Sequence, residues 1–244
     1  MAYDFDKIAR NYDRLNRVMT LGLDRRWRKR AVSAVKSEKF APLRSQACEA
    51  GRKVKSVLDV ACGTGDMVRE LQNHGCHVTG VDLSEEMLII AESKVPTATY
   101  MIADAEHLPF ENDCFDAVTC AFGVRNFVHI EQGLKEMLRV LKPGGRMVIL
   151  ELSTPDSPLI RPFYNLYTKH IIPWLGSRIA GNREAYTYLP VSIARFPKGK
   201  AFLRLFGDSV AENATERKLT FGVCRLYTID KTKEAPQMDT SYCH

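Results

Sequence analysis

The chain has 244 residues, 45% of them hydrophobic and 26% charged, with 35 lysines and arginines against 29 acids and a formal net charge of +6 at pH 7. That balance is ordinary for a soluble globular protein and long enough for one α/β domain with an insertion, and no apolar run approaches the roughly 20 residues that a bilayer-spanning helix requires. Seven cysteines, at 48, 62, 76, 114, 120, 224 and 243, include no CxxC pair and fall largely in apolar segments, so they read as reduced core thiols and not as a disulfide framework.

The opening MAYDFDKIARNYDRLN alternates acidic, basic and aromatic residues and does not look like a secretory signal, so a cytoplasmic protein is expected. Residues 1–50 are read as a helical lid on a single domain of residues 1–235, with 236–244 as a mobile tail. Within the lid, DRRWRKR (24–30) sets a tryptophan in a basic helix. Such a run suits an anionic membrane surface, giving peripheral contact with the inner membrane, or is simply a solvated basic face.

In SVLDVACGTGDMVREL (56–71), Val57, Leu58, Val60 and Ala61 form a buried strand that opens onto a glycine loop. Gly63 and Gly65 let the backbone turn sharply and approach a ligand, because neither carries a Cβ. A phosphate-binding loop needs Gly-Lys-Ser/Thr at its end, whereas Gly65 is followed by Asp66 and Met67. A dinucleotide fingerprint needs a third glycine where Val68 stands, and Asp66 would set a negative charge beside a pyrophosphate. Asp59 inside the strand, with Gly63, Thr64 and Gly65 after it, suits a ligand that has no phosphate and carries positive charge, such as S-adenosyl-L-methionine. A lone GxG is also compatible with an ordinary tight turn. His74, Cys76 and His77 lack a fourth metal ligand, and His77 opens a strand, so no metal is expected.

Strands and helices then alternate. HVTGVD (77–82) is a strand ending in an acid, and SEEMLIIAESK (84–94) is a helix capped by Ser84. ATYMIAD (98–104) and FDAVTCAF (115–122) are strands, EQGLKEMLRVL (131–141) is a helix stopped by Pro143 and Gly144, and RMVILEL (146–152) is a strand. Prolines at 155, 158, 162, 173, 190 and 197 and many aromatics mark 153–200 as a helical cap insertion. Strands around 209–215 and 221–229 complete a doubly wound, mostly parallel, seven-stranded α/β sheet of Rossmann-like type.

Such sheets bind ligands beyond the carboxyl ends of their strands. Asp82 ends the second strand 17 positions after Gly65, where a carboxylate can take both ribose hydroxyls, and Leu83 beside it is counted with the cofactor residues. Asp104 and Ala105 follow the third strand, where a side-chain acceptor and the next backbone donor can read an adenine edge. Acids at successive strand ends favour S-adenosyl-L-methionine over a dinucleotide.

Six motifs carry a family resemblance over nearly the whole chain: YDRLNRVMTLGLDRRWR (12–28), LDVACGTGD (58–66), ADAEHLPF (103–110), FGVRN (122–126), RVLKPGG (139–145) and KLTFGVCRLYTIDK (218–231). With these the sequence resembles the ubiquinone/menaquinone biosynthesis C-methyltransferases of the UbiE/MenG type within the class I methyltransferases. It departs from them at Leu15, where the family often has Met, at Asp24, often His, and at Ala121, where some members have a Ser beside the cofactor; residues 200–217 also lack the usual Ala-Gly-Phe turn.

The resemblance implies S-adenosyl-L-methionine-dependent methylation of a ring carbon of a prenylated hydroquinone, demethylmenaquinol to menaquinol or the corresponding ubiquinone precursor. Arg125 and Asn126, just past the fourth strand, stand where an arginine can hold a phenolate or polarise a water that takes the proton. The competing reading pairs Arg125 with a neighbouring carboxylate such as Asp82. His129 is a nearby base or a solvent-exposed residue. Phe163, Tyr164, Tyr167, Trp174, Tyr186 and Tyr188 of the cap line a pocket for the quinone, or are only core. Other small aromatic or polyketide substrates, an RNA methyltransferase and a noncatalytic S-adenosyl-L-methionine-binding protein are the alternatives. Nucleic acid is not expected as a partner, since no Pro-Cys pair, Pro-Pro-Tyr clamp or basic groove-binding module is present. A homodimer is compatible with the sequence.

Overall fold

The computed structural model describes residues 6, 9–36, 56–172, 183–211 and 213–232. Helices α1 (Ala9–Thr20) and α2 (Leu23–Val35) lead into an alternation of β1 (Ser56–Val60), α3 (Asp66–Gln72), β2 (His77–Asp82), α4 (Glu85–Lys94), β3 (Thr99–Ile102), β4 (Phe115–Ala121), α5 (Ile130–Val140) and β5 (Leu141–Leu152). Then come α6 (Arg161–Leu166), continued by a wider π-helical stretch over Tyr167–Ile171, α7 (Arg183–Arg195), and the strands β6 (Ala214–Leu219) and β7 (Cys224–Asp230).

The described residues build a seven-stranded sheet in the order β3-β2-β1-β4-β5-β7-β6. The first five strands run parallel, and β7 enters antiparallel between β5 and β6. The chain steps outward from β1 to β3 and then returns to β4 on the other side of β1. The loops leaving β1 and β4 therefore part and open a crevice, the place where doubly wound sheets bind ligands.

The period of two along each strand sorts side chains to opposite faces. Val57, Ala117, Val148 and Leu150 pack with Trp27, Ala31, Val32 and Val35 of α2 and with Val68 and Leu71 of α3. Leu58, Val60, Val118, Cys120, Met147 and Ile149 pack with Leu134, Met137 and Val140 of α5. Among the described cysteines, Cys62, Cys76, Cys120 and Cys224 are buried free thiols and Cys114 is half-buried; Cys48 and Cys243 lie outside the described residues.

Three sequence expectations need correction. The α5 helix stops one residue before Leu141, which is already extended, so Pro143 and Gly144 sit inside β5 and not at a helix end. Leu141 pairs with Phe115 and Arg146 with Ala117, and the residues between them bulge out. The last two strands lie later than expected, because residues 208–211 form a helical turn and not a strand. ATERKL carries little apolar signal, since β6 is the sheet's edge and keeps Arg217 and Lys218 in water, while Glu216 turns in to pair with Arg225. The third correction concerns DRRWRKR. Asp24, Trp27 and Arg28 point into the molecule, so the tryptophan is core and not a membrane anchor, and only Arg25, Arg26, Lys29 and Arg30 of the run are exposed. Residues 1–5, 7–8 and 37–50 of the expected lid and all of the expected tail, 236–244, lie outside the described residues.

Candidate active site

Beyond Val60 the chain turns through Ala61 (φ 53°), Gly63 (φ 53°) and Gly65 (φ 78°), all in the left-handed region. Gly65 is needed twice over, since a Cβ there would also stand 3.0 Å from the Ala91 Cβ on α4. At Gly63 the space is open, and the atom that an added Cβ would meet is Tyr12 Cε1 at 3.9 Å. The backbone N–H of Gly63 donates to Asp82 Oδ2 at 2.8 Å, and that of Ser84 donates to Asp82 Oδ1 at 3.0 Å. The carboxylate is thus oriented at the end of β2. Burial raises its pKa, against the hydrogen bonds from Ser84, Gly63 and Leu83. Ser84 caps α4 as expected, accepting from Met87 N at 3.1 Å.

Asp59 is the buried carboxylate of the crevice. Its Oδ1 accepts from the Thr119 hydroxyl at 2.6 Å, while Oδ2 is shut off from solvent with no hydrogen-bond partner among the described residues. Burial pushes its pKa up to about 7, opposed by Thr119 and by the Arg28 guanidinium and assisted by Asp82. An orphaned carboxylate oxygen beside a glycine loop fits a ligand that brings its own positive charge and hydrogen-bond donors. Arg28 lies nearby, 5.3 Å above the Phe122 ring, ion-paired with Asp24 at 2.5 Å and 3.7 Å from Asp66.

Helix α1 and Asp6 ahead of it roof this loop and the start of α4 through residues that the sequence reading did not single out. Thr64 donates its hydroxyl to Asp13 Oδ1 at 2.5 Å, Asp13 also pairs with Lys94, and Asp6 accepts from the Ser84 hydroxyl. The signal was present in the Tyr12–Asp13 start of the first family motif, but nothing local to α1 says which loop it meets.

Asp82 and Ile102 are register partners, so β2 and β3 end side by side. Leu83 and Ile102 are both exposed there, an apolar ledge between Asp82 and Asp104. Asp104 Oδ1 accepts from Glu106 N at 2.9 Å, and Ala105 is buried. Glu106, also missed from sequence, ties this loop to the next: its carboxylate accepts from His129 N at 2.7 Å and lies 2.8 Å from His129 Nδ1. Burial raises the Glu106 carboxyl, but the His129 backbone and ring outweigh it and hold the group below its ordinary range. The His129 side chain itself is largely exposed.

Past Ala121, the end of β4, Phe122 takes a positive φ of 66° and the turn Val124–Asn126 follows. A Cβ on Gly123 would lie 2.6 Å from the Ala61 Cβ, so the ends of β1 and β4 meet as closely as a glycine permits. Arg125 Nη1 donates to Glu151 Oε1 at 2.5 Å and to the Phe122 carbonyl at 2.5 Å, and Arg125 N donates to Glu151 Oε2 at 3.3 Å. Asn126 Nδ2 reaches the same carbonyl at 3.5 Å. The carboxylate facing Arg125 is therefore Glu151 and not Asp82. Ala121 pairs with Leu150, which brings Glu151 alongside, whereas Asp82 is two strands away.

Of the cap aromatics, Tyr164 is the residue of α6 that turns inward, and Arg125 acts on its phenol electrostatically; burial pushes the pKa up to about 12 against that influence. Phe163 points to solvent. Tyr167 donates to the Val18 and Met19 carbonyls at 3.1 and 3.3 Å, fastening this segment to the corner between α1 and α2. Trp174 and the side chains of Tyr186 and Tyr188 lie outside the described residues.

The fold has relatives of known structure. A Methanococcus maripaludis protein described as an S-adenosyl-L-methionine-dependent methyltransferase aligns over 96% of this chain and 97% of its own, with a TM-score of 0.58 at 14% identity. A SAM-dependent methyltransferase from Thermotoga maritima aligns over 94% of this chain and 100% of its own, with a TM-score of 0.56 at 17% identity. Closer relatives appear in sequence. The Geobacter sulfurreducens ubiquinone/menaquinone biosynthesis C-methyltransferase UbiE is 42% identical, covering 93% of this chain and 86% of that protein. The Porphyromonas gingivalis demethylmenaquinone methyltransferase is 43% identical, covering 91% and 89%. The sequence profile of the ubiE/COQ5 methyltransferases matches residues 2–231. The glycine loop, the strand-end acids and the sheet order thus belong to a methyltransferase, and this chain is a member of the ubiE/COQ5 methyltransferase family.

Proposed function

We propose that the protein methylates a ring carbon of a demethylated prenyl quinol, demethylmenaquinol or the corresponding ubiquinone precursor, with S-adenosyl-L-methionine as donor. The observation that carries this reading is the 42% identity, across 93% of the chain, to a relative named for that C-methylation. The donor supplies an electrophilic methyl group: the ring carbon forms a C–C bond, the S–CH3 bond breaks, and the ring carbon then loses its proton.

The chain's residues supply position and charge. Asp59 receives the donor's ammonium end, the Gly63–Thr64–Gly65 loop lets it approach the backbone, and Asp82 takes the ribose hydroxyls. Leu83 packs on the base, Asp104 and Ala105 read its edge, and Ala121 walls the methyl end. Arg125, with Asn126 beside it, steadies a phenolate oxygen or the water that removes the ring proton. Because Glu151 shares the Arg125 charge, that help is directional hydrogen bonding and not a long-range field. No helix among the described residues is long and apolar enough to cross a membrane. The reading places the protein in the cytoplasm, in peripheral contact with the inner membrane.

Incubation with labelled donor and a panel of demethylated quinols, followed by mass spectrometry of the lipid extract, is expected to show one methyl added at a ring carbon. Transfer to another phenol with none to any quinol refutes the assignment. Asp82→Ala is expected to weaken S-adenosyl-L-methionine binding by more than about a hundredfold, from the loss of two charge-assisted hydrogen bonds worth about 1.5–3 kcal/mol each. Calorimetry measures this, and an unchanged affinity removes the ribose role.

A further inference from the structure

Five large apolar side chains stand in water on three neighbouring elements. Leu159, Phe163 and Leu166, spaced i, i+4 and i+7 along α6 and its approach, are 79%, 74% and 56% exposed; Leu21, between α1 and α2, is 72% exposed, and Phe221, between β6 and β7, is 75% exposed. Isolated exposed leucines need no explanation, but a cluster does.

The contacts of these elements make them one rim. Tyr167 fastens the end of α6 to the carbonyls of Val18 and Met19, two residues from Leu21. At the other end Arg161 donates to the Pro155 carbonyl at 3.4 Å, and Pro155 lies against Gly222, next to Phe221. The third side closes through Trp27 Nε1, which donates to Thr220 Oγ1 at 2.9 Å and sets the Phe221 turn on α2. Phe221 is held at φ 57° with Thr220 at 45°, a costly conformation for side-chain-bearing residues that aims a phenyl ring outward.

Among the described residues the unpaired charge around this rim is positive, since the exposed Asp156 beside it is already ion-paired with Lys198, Lys218 and Arg225. Arg161 on α6 and Arg25, Arg26, Lys29 and Arg30 on α2 are exposed, and α2 follows Leu21 directly. Apolar side chains surrounded by cations match a bilayer surface that bears anionic headgroups, since the cations meet the phosphates while the side chains enter the acyl boundary. Tyr164, beside Arg125, lies on the inner face of the helix whose outer face carries this stripe.

We propose that Leu21, Leu159, Phe163, Leu166 and Phe221 insert into the interface of an anionic phospholipid bilayer, with the exposed arginines and lysine of α2 and Arg161 on its headgroups, so that α6 lies between the membrane and the reaction crevice. This rests on the quinol reading, because a water-insoluble substrate is what makes the contact useful.

The test is sedimentation of the full chain with phosphatidylcholine vesicles, with and without phosphatidylglycerol, alongside methylation of a short-tailed, water-soluble quinol. Leu159→Ser with Phe221→Ser is expected to weaken binding to the anionic vesicles at least tenfold, with the melting temperature and soluble-quinol turnover unchanged. Arg25→Glu with Arg26→Glu and Lys29→Glu is expected to remove the preference for phosphatidylglycerol. Arg28 is left intact because it is buried. Vesicle binding by both variants equal to that of the parent overturns the proposal. So does a parent that ignores vesicles and forms a dimer that Leu159→Ser with Phe221→Ser dissolves, which would make the rim a contact between copies. Vesicle binding that behaves as expected, with no quinol methylated, faults the quinol reading and leaves the rim standing.

Discussion

Arg125→Ala is expected to destabilise the fold by about 3–5 kcal/mol, the cost of leaving a buried carboxylate without its partner. Glu151 is almost completely buried on β5, and Arg125 Nη1 stands 2.5 Å from its Oε1. The loss is measured by thermal or denaturant unfolding. Stability alone does not decide the chemistry, so the informative variant is the double change Arg125→Met with Glu151→Leu. Replacing both members of a buried pair by apolar residues of similar size commonly recovers stability. If Arg125 also serves the reaction, the double variant regains its melting temperature and its affinity for S-adenosyl-L-methionine but not its single-turnover rate. Arg125→Lys keeps a charge and loses the planar fork, and it is expected to show the same split more mildly. A stable double variant with the parental single-turnover rate makes Arg125 purely architectural.

Binding of S-adenosyl-L-methionine is expected to tighten about tenfold per pH unit between pH 5.5 and 7 and then to level off. The cause is Asp59, whose pKa is raised by burial from 3.8 to about 7. Below that pH the carboxyl is protonated and offers no charge to an ammonium group. The sign for stability follows from the same shift. The folded state holds this proton more tightly than the unfolded chain, so the ligand-free fold keeps its full share of stability below about pH 3.8 and loses it as the pH rises towards 7. The loss is on the order of 4 kcal/mol, from about three pKa units at 1.36 kcal/mol each. Asp59→Asn should flatten the pH dependence of binding and stabilise the ligand-free protein at neutral pH. Calorimetry in buffers of different ionisation enthalpy reports the proton released on binding. No proton release, with an affinity independent of pH, rules Asp59 out as the ammonium site.

What could be read from sequence follows the reach of each signal. The run around Val57 to Val60, the helix cap at Ser84 and the glycine loop are local, and each appears where its residues placed it. Glu151 was invisible because RMVILEL reads as one uniformly buried strand, and only the register of β4 on β5 reveals what its carboxylate faces. Trp27 was legible in principle, since Trp27, Ala31, Val32 and Val35 recur at helical spacing, but Arg25, Arg26, Lys29 and Arg30 on the opposite face mask that period. Asp13 and Asp6 meet the glycine loop and α4 across long stretches of chain, and no local pattern announces such a meeting.

The bond from Trp27 to Thr220 joins residues 193 positions apart. Arg146 likewise donates from β5 to the Ala34 carbonyl at the end of α2, 112 positions earlier. Contacts of such sequence separation form late, because closing so long a loop costs chain entropy before the contact rewards it. On a ribosome, α2 is among the first helices made, yet its tryptophan has no acceptor until the turn after β6 has emerged. Synthesis that halts before Thr220 thus leaves the buried indole N–H without its acceptor and β5 without β7, the strand that pairs along it.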